Sequence, residues 1–162
     1  KNIVIDPMMV ATSGSALMVE GAGKALVEEL FPLGTVLTPN IPEAEALSQT
    51  KIRNRQDMEE AARIISSFTG GAVLVKGGHL SESADDLLYE QGKSIWLPGE
   101  RVDNSNTHGT GCTLSSAIAC GLAGGKSLED SVKGAKDYIT GALKAGLDLG
   151  KGSGPLNHMY AL

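Results

Sequence analysis

Gly70-Gly71-Ala72-Val73-Leu74-Val75-Lys76-Gly77-Gly78-His79 is a four-residue apolar run with glycines on either side and a cation at its exit. A short valine-rich run bounded by turn residues is the pattern of a strand buried on both faces, as in a parallel sheet. The same punctuation occurs twice upstream. Residues 2–5 run into Asp6-Pro7, and residues 35–38 run into Pro39-Asn40. Between the strands the apolar period changes to that of helices. Over 15–30 the residues Val19, Ala22, Leu26, Val27 and Leu30 share one stripe, with Gly21 and Gly23 weakening it. A helix over 43–48 follows Pro42, and from Asp57 onward Met58, Ala61, Ile65 and Phe68 recur at helical spacing. Strands alternating with helices predict the α/β class, with a largely parallel sheet covered on both faces.

Further along, 87–89 and 94–97 read as an antiparallel hairpin turned at Gln91-Gly92. Next comes Asn106-Thr107-His108-Gly109-Thr110-Gly111-Cys112-Thr113, leading into a small-residue helix over 114–123, and Ser127 can cap a last long helix. Gly109 and Gly111 permit backbone angles and close approaches that other residues refuse. The unbonded N–H groups of the helix start, with the positive end of its dipole, make an anion site. Cys112 stands at that same terminus.

The chain has 162 residues, 41% of them hydrophobic and 20% charged, with a net charge of −5. That length suits one domain. No run approaches the roughly 20 apolar residues of a membrane span, and the first residues show no secretory signal. Cys112 and Cys120 are eight helical positions apart, about 12 Å along the axis and beyond disulfide reach, which fits a reducing, cytoplasmic setting. Three scattered histidines and no Cys-x-x-Cys argue against structural zinc, and the acidic balance without a basic stripe argues against a nucleic-acid surface. An acidic protein handling a polyphosphate needs a cation and local donors.

Those groups are present. Polar residues that follow parallel strands emerge together at the carboxyl edge of the sheet, where ligands bind, and here they are Asp6, the Asn40/Glu43 pair and Lys76. Asp6 and Glu43 are hard oxygen donors suited to Mg²⁺ through waters, Lys76 is a phosphate cation, and the glycine loop supplies amides. Cys112 is either the base that takes a hydroxyl proton or a nucleophile activated by His108. Together these are the parts of phosphoryl transfer. Gly21-Ala22-Gly23-Lys24-Ala25 is not a P-loop, since Met18 stands where its first glycine belongs and Ala25 where Ser or Thr belongs.

Five segments in order, DPMMVATSG, TPNIPEAEAL, VLVKGGH, NTHGTGCTLSSAIA and GSGPLNH, resemble the phosphomethylpyrimidine (hydroxymethylpyrimidine phosphate) kinases of thiamine biosynthesis, in the ribokinase-like family. The resemblance implies a ribokinase-like three-layer sandwich and a cytoplasmic enzyme. Its reaction would be ATP- and Mg²⁺-dependent phosphorylation of the hydroxymethyl or phosphate oxygen of an aminopyrimidine. It places Gly109, Thr110 and Gly111 in the family's anion hole and Cys112 at the catalytic base, where many ribokinase-like relatives have Asp. Asn40 and Glu43 match an N-x-x-E element that organises metal and phosphate, and Asp6 matches the acid of a D-P motif. Lys76 falls where the family contacts nucleotide phosphates, and Val102 with the start of the last helix would border the adenine.

The family's N-terminal glycine-rich segment has no counterpart here. The chain therefore reads as the C-terminal, nucleotide-binding portion of one kinase domain, turning over little or no pyrimidine alone, and the full-length protein is expected to be a homodimer. A pyridoxal kinase of the same family, a non-catalytic nucleotide- or metabolite-binding module and a thiol hydrolase using Cys112 stand as alternatives.

Overall fold

The computed structural model describes residues 2–9, 21–78, 84–104, 107–147, 149, 152 and 154–161. The expected start of the helix over 15–30, with Val19, lies outside the described residues, as do His79, 81–83 and Asn106. The chain divides into two compact units, Lys1–Gly99 and Glu100–Leu162.

The first unit is built on five strands in chain order, β1 (Val4–Ile5), β2 (Val36–Leu37), β3 (Ala72–Val75), β4 (Asp86–Glu90) and β5 (Lys93–Leu97). The first three are parallel neighbours, while β4 pairs antiparallel with β3 and β5 with β4. The hairpin thus extends the sheet and makes it mixed. Its turn has positive φ at both Gln91 (49°) and Gly92 (79°), the two-residue geometry whose twist matches that of paired strands. All four residues of β3 are buried, as the sequence predicts for a strand covered on both faces.

Alternation along the strands sends Leu37, Val73, Val75 and Leu87 into one core with Met58, Ala61, Ala62 and Ile65. Those last four belong to α3 (Arg55–Ser66). The helix begins two residues before Asp57, because Asn54 is its cap and its side chain accepts the Asp57 N–H. Asp57 in turn accepts the Arg53 N–H at 2.9 Å, so a stretch that is polar by composition is a side-chain-capped first turn. At its start, Arg55 pairs with Asp85 and lies 4.5 Å over the Trp96 ring, whose Nε1–H donates to Glu59.

The expected stripe over 15–30 is only partly realised. Following α1 (Ala22–Ala25), residues Leu26–Leu30 form a π-helical turn and Phe31–Leu33 a 3₁₀ turn. Bonding from i to i+5 delays the inward position by one residue. Phe31 therefore fills the core while Leu30 is left exposed.

The helix after β2, α2 (Ile41–Ser48), is fastened at its far end by Glu45, which accepts the Ile52 N–H at 2.8 Å and pairs with Lys51 at 3.0 Å. The Ile52 amide first, and the Lys51 ammonium second, hold the Glu45 carboxyl below its ordinary value. A group lowered on folding contributes stability above its unfolded value and loses it as pH falls through the folded one. Glu45→Gln should accordingly lower the Tm at neutral pH, with the difference from the parent closing in acid.

The second unit holds α4 (Thr110–Ala123) and α5 (Leu128–Ala145), joined by a short turn and packed together. Leu114, Ile118 and Leu122 of α4 and Val132, Ala135 and Ala142 of α5 are buried. Ser127 caps α5 as its position suggests, accepting the Asp130 N–H. Helix α4 starts four residues before the expected Leu114, so Thr110, Gly111 and Cys112 are its first turn and not a loop before it. No helix among the described residues is long and apolar enough to cross a membrane.

Candidate functional site

Three of the expected polar clusters meet at the carboxyl ends of β1, β2 and β3. Asp6 follows β1 directly and Lys76 follows β3 directly, and Lys76 Nζ lies 3.0 Å from Asp6 Oδ1. Both side chains are mostly shielded, 17% and 13% exposed. Residues seventy apart in sequence are side by side because parallel strands share one exit. Between them, the chain leaving β2 is stitched to β3 by a bridge of Asn40 with Lys76, and the Lys76 N–H donates to Pro39 O at 2.9 Å.

Asn40 is the cap of α2 and Glu43 its third residue. The Glu43 N–H donates to Asn40 Oδ1 and the Asn40 N–H to Glu43 Oε2, each at 2.9 Å. Each side chain thus satisfies an orphan amide of the other, with Pro42 inside the first turn where its missing N–H costs nothing. The other oxygen, Glu43 Oε1, accepts the Met9 N–H at 3.2 Å. Buried to 2% exposure, Glu43 ties the exits of β1 and β2 together. Its two carboxylate oxygens each accept a backbone N–H, from Met9 and from Asn40. Among the described residues no three His, Cys, Asp or Glu side chains group as a metal site.

Lys76→Met leaves Asp6 without its cation in a mostly dry setting. Stability should fall by about 1–3 kcal/mol, below the cost of a fully buried pair, and Asp6→Asn added to it should recover part of the loss. Urea unfolding of the two variants checks this.

The chain just past Lys76 is held as well. The Gly77 N–H donates to Asp86 Oδ1 at 2.8 Å, and Asp85 Oδ1 accepts the Gly99 N–H at 3.0 Å. Both acids stand in a stretch that is polar by composition, just before the hairpin. An Asp-Asp pair at a strand entry facing a glycine exit was the signal present.

The second unit carries the glycine loop. Gly109 has φ 83° and precedes α4 without any side-chain cap. The Thr113 N–H reaches Gly109 O at 2.9 Å and the Thr110 N–H reaches Thr107 O at 3.4 Å. The amides of Gly111 and Cys112 have no acceptor among the described residues. They are the pair free to take an anion at the positive end of a fourteen-residue helix. Cys112, third in that helix, is exposed, and both cysteines are free thiols. Amides placed so can take the oxygens of an anion, and the Cys112 thiol stands on the same turn.

The His108 backbone forms a parallel bridge with Pro155. Val102 lies in a segment held at the end of α5: Asn104 Nδ2 donates to Leu143 O at 2.6 Å, and Lys144 pairs with Glu100 at 2.6 Å. The segment is fixed to the last turn of α5, about 25 Å by helical rise from the start of that helix. Tyr138, His158 and Tyr160, which the sequence reading gave no role, form a cluster against α5.

A model of the phosphomethylpyrimidine kinase family matches residues 1–157. The hydroxymethylpyrimidine/phosphomethylpyrimidine kinase of Streptomyces coelicolor is 44% identical over 159 residues, which are 98% of this chain and 59% of that protein. Among solved structures, the ADP complex of Bacillus subtilis pyridoxal kinase superposes with a TM-score of 0.85 at 38% identity, covering 98% of this chain and 59% of that one. Phosphomethylpyrimidine kinase from Clostridium difficile superposes at 0.74 with the same identity, covering 86% and 56%. The chain spans 59% of the length of the Streptomyces relative.

Proposed function

This chain belongs to the phosphomethylpyrimidine kinase family, and from that premise we propose that the protein transfers the γ-phosphoryl group of ATP to the hydroxymethyl or phosphate oxygen of a thiamine-pathway aminopyrimidine. One observation carries the reading. At the start of α4, the open amides of Gly111 and Cys112 and the exposed thiol of Cys112 lie within a single turn behind the left-handed Gly109.

In this mechanism the amides of Gly111 and Cys112 hold phosphoryl oxygens as negative charge develops on them, the arrangement that supplies the largest electrostatic share of such catalysis. Gly109 and Thr110 set the direction of those amides. Cys112 Sγ takes the proton of the acceptor hydroxyl. Lys76 Nζ neutralises phosphate charge, Asn40 orients the nucleotide side from the cap of α2, and Val102 borders the base.

A cation and a carboxylate paired at a sheet edge fit a metal–phosphate group: Mg²⁺ prefers one or two carboxylates, several waters and phosphate oxygens. Asp6 would hold it through water, with Glu43 supporting from behind. When bound, such an ion would neutralise negative charge on phosphate oxygens.

A second reading, pyridoxal phosphorylation, is favoured by the 0.85 superposition on the Bacillus pyridoxal kinase. Side-by-side rates of ATP-dependent phosphorylation of hydroxymethylpyrimidine phosphate and pyridoxal by the full-length protein separate the two. A higher kcat/KM on the pyrimidine is expected; preference for pyridoxal transfers the assignment to the second reading, and turnover of neither removes both.

A further inference from the structure

The last described stretch, 154–161, is fastened at two places, and one of them is the entry to α4. Pro155 bridges to His108, the residue immediately before Gly109, and Leu156 beside it is buried. At the other end, Tyr138 of α5 shares a 3.0 Å hydrogen bond with His158 Nδ1, their rings 6.0 Å apart and nearly parallel at 18°. Tyr160 leans on Tyr138 with centroids 5.6 Å apart. It occupies the space that a side chain at position 141 would need: a Cβ on Gly141 would lie 2.4 Å from the Tyr160 ring. Turn bonds from His158 N–H to Leu156 O and from Tyr160 N–H to Asn157 O curl the stretch between its two anchors.

Helix α4 needs an external hold. Gly109 offers no side-chain cap, and its φ of 83° is a left-handed conformation that residues with a side chain rarely adopt. Among the described residues, the bridge of His108 with Pro155 fastens the helix entry from outside.

We propose that residues 154–161 are a strap that positions the start of α4, with Tyr138 and Tyr160 as positioning residues. They hold the strap, the strap holds the His108 backbone, and that backbone sets where the Gly111 and Cys112 amides point. The mechanical part stands on contacts alone. Its catalytic consequence rests on the kinase reading above.

The test is amide hydrogen exchange on the full-length protein, without substrates, in Tyr160→Ala, Gly141→Ala and Tyr160→Phe. Release of the strap should speed exchange of the Thr113 amide, bonded to Gly109 O, by about tenfold in the first two variants, as expected for a local opening that has become easier. Tyr160→Phe, which keeps the ring, should stay near the parent. In the kinase assay the first two should lower kcat several-fold while the nucleotide KM stays within about twofold, the sign of a lost transition-state contact and not of lost binding.

Exchange that quickens at 156–160 but not at Thr113 overturns the strap. Should Gly141→Ala fail to fold, Tyr160→Ala on the half-buried ring decides alone. If Thr113 responds but the protein phosphorylates neither alcohol, the strap stands and the kinase reading falls, so the two failures are distinguishable.

Discussion

Cys112→Ala is expected to lower turnover by about 10²–10⁴-fold, the usual contribution of a positioned general base, while leaving MgATP affinity within about threefold. The variant is well suited to the question. Cys112 is exposed, so no core cavity forms, and alanine is the best helix former for the first turn of α4. Ser116 Oγ donates to the Cys112 backbone carbonyl, not to its sulfur, so that contact survives the substitution. A loss of rate therefore cannot be assigned to unfolding, and an unchanged Tm should accompany it. Cys112→Asp, which restores a proton acceptor of similar reach, should recover part of the rate. A near-normal rate in Cys112→Ala would leave the amides as the catalytic element and remove the thiol from the chemistry. A covalent adduct with substrate in the parent, absent in the variant, would favour a nucleophile over a base.

The strands were legible because each is a short apolar run stopped by turn residues. The expected limits of β3 and exit of β1 are met, while β2 ends one residue before the expected Thr38; pairing covers only two residues in each of β1 and β2. Exits matter more than lengths here, since they fix which side chains share an edge. That Lys76 pairs with Asp6 and that Asn40 bridges to Lys76 follows from three parallel strands. The distances do not follow, because a sequence carries no register. Helix starts were read late at α3 and α4 for one physical reason. Asn54-Arg55-Gln56 and Gly109-Thr110-Gly111 look like loop by composition, yet caps and first turns are polar or glycine-rich because their amides lack intrahelical partners. The strap was missed for a different reason. Tyr138, His158 and Tyr160 have no shared period and meet only when the chain end folds back on α5.

Gly77→Ala should destabilise the first unit by about 3 kcal/mol or more, at the upper end for a single added methyl, because the obstacle is backbone and cannot rotate away. A Cβ at Gly77 would lie 1.7 Å from the Asp85 carbonyl oxygen. Backbone strain is not the cause, since Gly77 is not among the residues with positive φ. Space is. To admit the methyl, either the entry to β4 at Asp85 or the exit of β3 must move, and both are pinned. Asp86 accepts the Gly77 N–H on one side, and the Lys76 N–H is bonded to Pro39 O on the other. Displacement of Gly77 must then draw on Lys76, and through it on the Asp6 pair and the Asn40 bridge. The same substitution one residue on is the control: among the described residues nothing lies within 4 Å of a Cβ at Gly78, so Gly78→Ala should unfold in urea within about 0.5 kcal/mol of the parent. Equal midpoints for the two variants would mean that the β3 exit yields easily, and then the placement of Lys76 beside Asp6 could not depend on that close backbone approach.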